Sequence, residues 1–121
     1  MTSLAYQYDD LMNPVLRAIR DLGGSGTNEE INAKVAQIAQ IPPDQLEILH
    51  DPVKGGLTEL EYRLMWTRTY LKKYGLIDNS ARGVWSLTPA GAEEAQRLLS
   101  AAASPAGSER ISQAMQEEAG P

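Results

Sequence analysis

The sequence predicts a mainly helical α+β domain, in which a three-helix core is followed by a β-hairpin and a closing helix. Three observations carry that reading. Residues 57–74, LTELEYRLMWTRTYLKKY, open on a capping-box spacing, Thr58 with Glu61 three residues on, and then repeat apolar residues at helical period. Residues 76–87, LIDNSARGVWSL, set two short apolar runs on either side of a polar turn, the pattern of a hairpin. Charge is also uneven. Between Glu59 and Arg82 five basic side chains face three acidic ones, a net +2, so the rest of a chain of net charge −5 sums to −7. A positive helix on an acidic protein points an anionic partner, such as nucleic acid, at that helix. Charge alone fits a solvated helix face equally well.

The 121 residues are enough for one domain with a single core. Cysteine is absent, which excludes disulfide staples and thiolate metal sites and fits a reducing compartment. No apolar run approaches the ~20 residues of a membrane span. The N-terminus, MTSLAYQYDD, has neither the basic region nor the apolar stretch of a signal peptide. The expected location is therefore cytoplasmic, away from membranes. The acidic total argues against a general coater of DNA and permits a local reader.

In chain order, residues 1–12 are expected to be an arm. Asn13-Pro14 reads as a helix start, a capping residue followed by a first-turn proline. Val15, Leu16, Ile19 and Leu22 form its apolar stripe, and Gly23-Gly24 ends it. Thr27 with Glu30 is a second capping box, opening a helix to about Gln40 with Ile31, Val35 and Ile38 inward. Pro42-Pro43 stops that helix, residues 44–49 suit a short helical turn, and residues 50–56, HDPVKGG, are a loop. In the 57–74 helix, Leu60, Leu64, Thr67 and Leu71 share the inner face. Tyr62, Met65, Thr69, Lys72 and Lys73 lie roughly opposite, with Arg63, Trp66 and Tyr70 on one flank and Arg68 on the other. In the hairpin, residues 79–83 are the expected turn, and Trp85 and Leu87 share the core-facing side. Thr88-Pro89 opens the last helix, with Ala92, Ala95, Leu98 and Leu99 running to about Ala103. The domain is thus expected over 13–103, with a flexible or partly helical tail over 104–121. This order of elements is that of a winged helix-turn-helix.

Several runs go further. Asn13-Pro14-Val15-Leu16, Asn28-Glu29-Glu30-Ile31, the block RLMWTRTYLKKYGLI from Arg63 to Ile77, and RGVWSLTPAG from Arg82 to Gly91 resemble the N-terminal domain of Mrr-type restriction proteins. The resemblance covers about residues 11 to 95. It implies a winged-helix DNA-binding module, in that family placed ahead of an endonuclease domain that cuts modified DNA. The nuclease half is missing from these 121 residues, and no acidic cluster with a lysine sits on strand-like segments to hold a magnesium ion. Cleavage is therefore not carried over, and a non-catalytic protein with no cofactor and no metal is expected.

In a winged helix the 57–74 helix would enter the major groove, where each base pair shows its own donor and acceptor pattern. Tyr62, Arg63, Met65, Trp66 and Thr69 are candidates to face bases, and Arg68 is added from the helix flank. Lys72 and Lys73 suit phosphates as point charges, and Arg82 at the wing tip suits the minor groove or the backbone. Each has a plainer reading beside it. Trp66 fits core packing better than a base contact, Arg63 can pair with Glu59 four residues earlier, and the lysines can be solvated. His50, the single histidine, has no second ligand to complete a metal site, and Ser25 in GGSG has no base to make it a nucleophile.

Duplex DNA is the expected partner, with the protein acting as a regulator or as the reading module of a restriction-type system. A homodimer is compatible, the alanine-rich last helix and tail supplying the seam, and so is a separate nuclease or regulatory protein. The rival expectation is a protein-interaction module on the same scaffold, with Met65 and Trp66 as anchors.

Overall fold

The computed structural model describes residues 4 and 6–100. Its central element is α1 (Tyr8–Asp21), against which three of the later helices and the sheet pack. This helix starts six residues before the expected Asn13-Pro14 start. Gln7 is the N-cap and forms a capping box with Asp10, whose carboxylate accepts from the Gln7 N–H at 2.9 Å. Pro14 lies inside the helix, where it removes one backbone hydrogen bond at a cost of about 3 kcal/mol. Leu11 and Met12 explain why the helix runs through it. Both are fully buried, and burying each is worth roughly 1.5–3 kcal/mol, which offsets the proline. Leu4 is buried as well, so the expected arm is in part core. Gly23, at φ +96°, ends α1 as expected.

A three-residue strand, β1 (Ser25–Thr27), follows, and α2 (Asn28–Ile38) begins on the predicted capping box: Thr27 Oγ1 accepts from the Glu30 N–H at 3.1 Å. Ile31 and Val35 are fully buried. The helix ends at Ile38 with Ala39 as its C-cap; Gln40 beyond it adopts φ +53°, and the Ile41 N–H closes back on the Ala36 carbonyl at 3.0 Å. The stop is thus made before Pro42-Pro43 is reached. The short α3 (Pro43–Leu46) leads into a loop whose ends meet at a bridge between Leu49 and Thr58.

From there α4 (Glu59–Lys73) runs back across the core. Thr58 caps it with Glu61, and Leu60, Leu64, Thr67 and Leu71 all point inward, as the period predicts. After the Gly75 turn, β2 (Ile77–Ala81) and β3 (Val84–Leu87) form the hairpin. Its turn is only Arg82-Gly83, shorter than expected, because β2 continues to Ala81 through a bulge. The sheet has three strands in the order β1-β3-β2, all antiparallel, where two were expected. β1 covers the second edge of β3, pairing Gly26 with Trp85, and the Leu87 N–H donates to the Gly24 carbonyl at 3.0 Å. Trp85 is half-buried, and its Nε1–H donates to Asn28 Oδ1 at 2.8 Å, which ties the hairpin to the start of α2. The last described element, α5 (Pro89–Ser100), returns Ala95 and Leu98 to the core beside α1, while Ala92 stays exposed. The expected continuation to Ala103 and the tail lie outside the described residues. The described residues form a winged-helix-like α+β arrangement, with five helices among them. Among the described residues no helix is long and apolar enough to cross a membrane.

Tyr8, at the start of α1, packs edge-on to Tyr70 of α4 with ring centroids 6.4 Å apart. Burial, with the Tyr62 phenol adding to it, raises the Tyr8 hydroxyl above its ordinary value. The folded state therefore favours the neutral phenol. That stability is complete below the unfolded value near 10 and is lost as pH rises through the higher folded one. Thermal unfolding between about pH 8 and about pH 11 should accordingly show a smaller alkaline loss in Y8F than in the wild type. An equal loss in both would refute this origin.

Candidate nucleic-acid interface

The surface is built on α4, because burial of its leucine stripe leaves one side of the helix outward. Tyr62, Met65, Thr69 and Lys72 follow one another at three- and four-residue steps on that side, so they form a single row. Met65 is 39% exposed, and Thr69, Lys72 and Lys73 are exposed, while Tyr62 is half-buried. The Thr69 hydroxyl donates to the Met65 carbonyl at 3.0 Å, which leaves its oxygen able to accept from outside. Lys72 and Lys73 occupy the last turn, where the negative end of the helix dipole also favours cations.

The hairpin meets the row at its C-terminal end. Lys72 Nζ donates to Asn79 Oδ1 at 3.2 Å, and Asn79 Nδ2 donates to the Val84 carbonyl at 3.4 Å. Asn79 therefore couples the helix to both strands of the hairpin. Arg82 stands exposed at the tip of that hairpin. Asp78 lies exposed beside Asn79, the one acidic side chain of β2. The exposed cations here are Lys72 and Lys73 on the helix and Arg82 at the hairpin tip.

Three of the nine residues singled out from sequence are placed elsewhere. Arg68 is 5% exposed and turns toward α2, where its Nη1 donates to Asn32 Oδ1 at 2.8 Å. Burial lowers its guanidinium to about 10, with Glu29 acting in the opposite direction, so the group stays charged at neutral pH. Arg63 reaches toward the N-terminal segment: its Nη1 donates to the carbonyls of Tyr6 at 2.6 Å and Leu4 at 3.3 Å, and its Nε to Glu59 at 3.4 Å. Its side chain is 18% exposed. Trp66 is half-buried against the core and tilted on Tyr70 with centroids 6.4 Å apart. Its Nε1 is buried and has no partner among the described residues. The plainer readings of Arg63 and Trp66 describe where these side chains lie.

Two residues join the surface that the sequence did not assign to it. Asn79 sits in an Asp-Asn-Ser run that reads as turn chemistry, and only its contact with Lys72 reveals the coupling. His50 stacks on Tyr62, with ring centroids 3.6 Å apart and planes 12° from parallel.

The family model described as the Mrr N-terminal domain matches residues 8–97, from the first residue of α1 into α5. No curated protein and no solved structure matches the chain.

Proposed function

From the premise that the chain belongs to the Mrr N-terminal domain family, we propose that it is a DNA-binding module that reads duplex DNA for a restriction-type system or its regulation. Membership associates the chain with Mrr restriction systems. The matched domain is not a nuclease domain, so the proposal is confined to binding. The observation that carries it is the outward row of α4 ending on Lys72, Lys73 and the Arg82 hairpin tip. A major groove admits an α-helix, the middle of the row offers a methyl thioether and a hydroxyl to base edges, and its cations suit the flanking phosphates. Arg63, Trp66 and Arg68 drop out of the contact set. The proposed contacts are Tyr62, Met65, Thr69, Lys72, Lys73 and Arg82.

A salt titration of duplex affinity is the test. With three phosphates contacted, log affinity should fall against log salt with a slope of about −3, at roughly 0.9 per contact. Absence of salt-dependent binding at micromolar protein would reject the reading. Running methylated and plain duplexes side by side asks in addition whether the module prefers modified DNA.

One observation favours a second reading, a protein-docking module. Leu49, Leu57 and Met65 are partly exposed and Val53 is 95% exposed, the first three before or within α4 and Val53 in the loop ahead of it. Such side chains can anchor a protein partner. Under that reading V53D and L57D would abolish partner capture while duplex affinity stays absent.

A further inference from the structure

His50 carries a ring held in a defined position on this surface. Its side chain is 40% exposed, yet two separate restraints fix the ring. One face stacks on Tyr62 at 3.6 Å. On its edge, Nδ1 lies 2.8 Å from Glu59 Oε2. A carboxylate only accepts, so Nδ1 carries the hydrogen of that contact, and Nε2 is left as the ring's other polar atom. Nε2 has no partner among the described residues.

The restraints continue inward. Glu59 is held by Arg63, and Arg63 by the Tyr6 carbonyl. The loop base beneath the ring is stitched on both sides: the His50 N–H donates to the Leu57 carbonyl at 3.0 Å and the Glu59 N–H to the Ile48 carbonyl at 2.7 Å. Ordering an exposed ring costs side-chain entropy, which a merely solvated side chain has no cause to lose. Tyr62 begins the outward row of α4, so a ring stacked on it and tied to Glu59 adjoins that row at the helix's N-terminal end. A group already held in place binds without that entropy loss at the moment of contact.

We propose that His50 is a specificity-determining contact residue of this surface, accepting through Nε2 from an exocyclic amino group of adenine or cytosine at the N-terminal end of α4; this rests on the DNA-binding reading above. In the major groove the adenine N6 and cytosine N4 amino groups are the donors a base edge offers to such an acceptor. Arg63 and Glu59 are then positioning residues.

The experiment is site selection from a randomised duplex pool by the wild type, H50A and H50F, with salt titrations and thermal unfolding alongside. H50F keeps an aromatic ring over Tyr62 and removes only the polar edge. Both variants should lose about fivefold discrimination at one base-pair position, as expected for one hydrogen bond, with the salt slope unchanged. Wild type and H50F selecting the same site with the same preference overturns the proposal and leaves DNA binding standing. Equal weakening on every duplex together with a lower melting temperature also overturns it, since that is a structural role. A wild type that binds duplex with a salt slope but selects no site overturns this inference alone; if it shows no salt-dependent binding to any duplex, the DNA reading itself falls and takes this inference with it.

Discussion

Replacing Lys72 and Lys73 together by Ala is expected to weaken binding to every duplex alike and to lower the salt slope by about 2. Both side chains are exposed in the last turn of α4, and Lys72 is steered by Asn79 toward the hairpin. Neither lies where the helix's first turns would meet base edges, so sequence preference should survive. Two phosphate contacts at moderate salt correspond to an affinity loss on the order of 10- to 30-fold. The control is R68M. Arg68 is 5% exposed and hydrogen-bonded to Asn32, so removing its charge should leave the slope where it was. If R68M lowers the slope as much as the lysine pair does, the buried arginine contributes to binding through the general field, and the division made on burial fails. If the lysine variant changes which sequences are preferred, the split between phosphate and base contacts fails instead.

The reasons some of this could be read from sequence and some could not are local. The inner face of α4 was legible because four side chains at helical period must all find the same core, and burial energy leaves no alternative register. Arg68 was not, because a long side chain on the border of the apolar stripe can turn either way, and Asn32, the residue that decides it, stands 36 positions earlier. Arg63 has the partner its spacing suggests, Glu59, but its shorter contacts are to backbone carbonyls, and a carbonyl leaves no mark on residue type. β1 was missed for a similar reason. Ser-Gly-Thr has no apolar alternation, and it becomes a strand only because the free edge of β3 needs hydrogen-bond partners. At the N-terminus, Asn13-Pro14 gave a sound local signal that lost to the burial of Leu11 and Met12. The outward row follows from the same leucine stripe that fixed the inner face. Asn79 and His50 belong to the surface through contacts across the chain.

Gly91→Ala should be among the most destabilising single substitutions in the domain. Gly91 is the third residue of α5, and a Cβ built there would stand 1.8 Å from the Leu76 carbonyl oxygen and 2.8 Å from its carbon. Helix propensity pulls the other way, since Ala is favoured over Gly by about 1 kcal/mol in a helix interior. The clash decides the sign because both parties are backbone and neither has a rotamer to change. Relief requires α5 to move off the turn after α4, and that turn is already fastened to it. The Leu76 carbonyl accepts from the Thr88 N–H at 3.1 Å, while the Thr88 hydroxyl donates to the Gly75 carbonyl at 2.5 Å and accepts from the Gly91 N–H at 3.1 Å. Separation would break this interlock and draw Ala95 and Leu98 out of the core. Overpacking of this kind costs about 3 kcal/mol. For a domain of this size that is a fall in melting temperature of about 10 °C or more. The same turn carries the chain from Lys73 to the hairpin, so any G91A protein that folds at low temperature should also bind duplex more weakly, with Asn79 no longer set against Lys72. A melting temperature that rises by a few degrees, as propensity alone would give, refutes the close approach of α5 to Leu76.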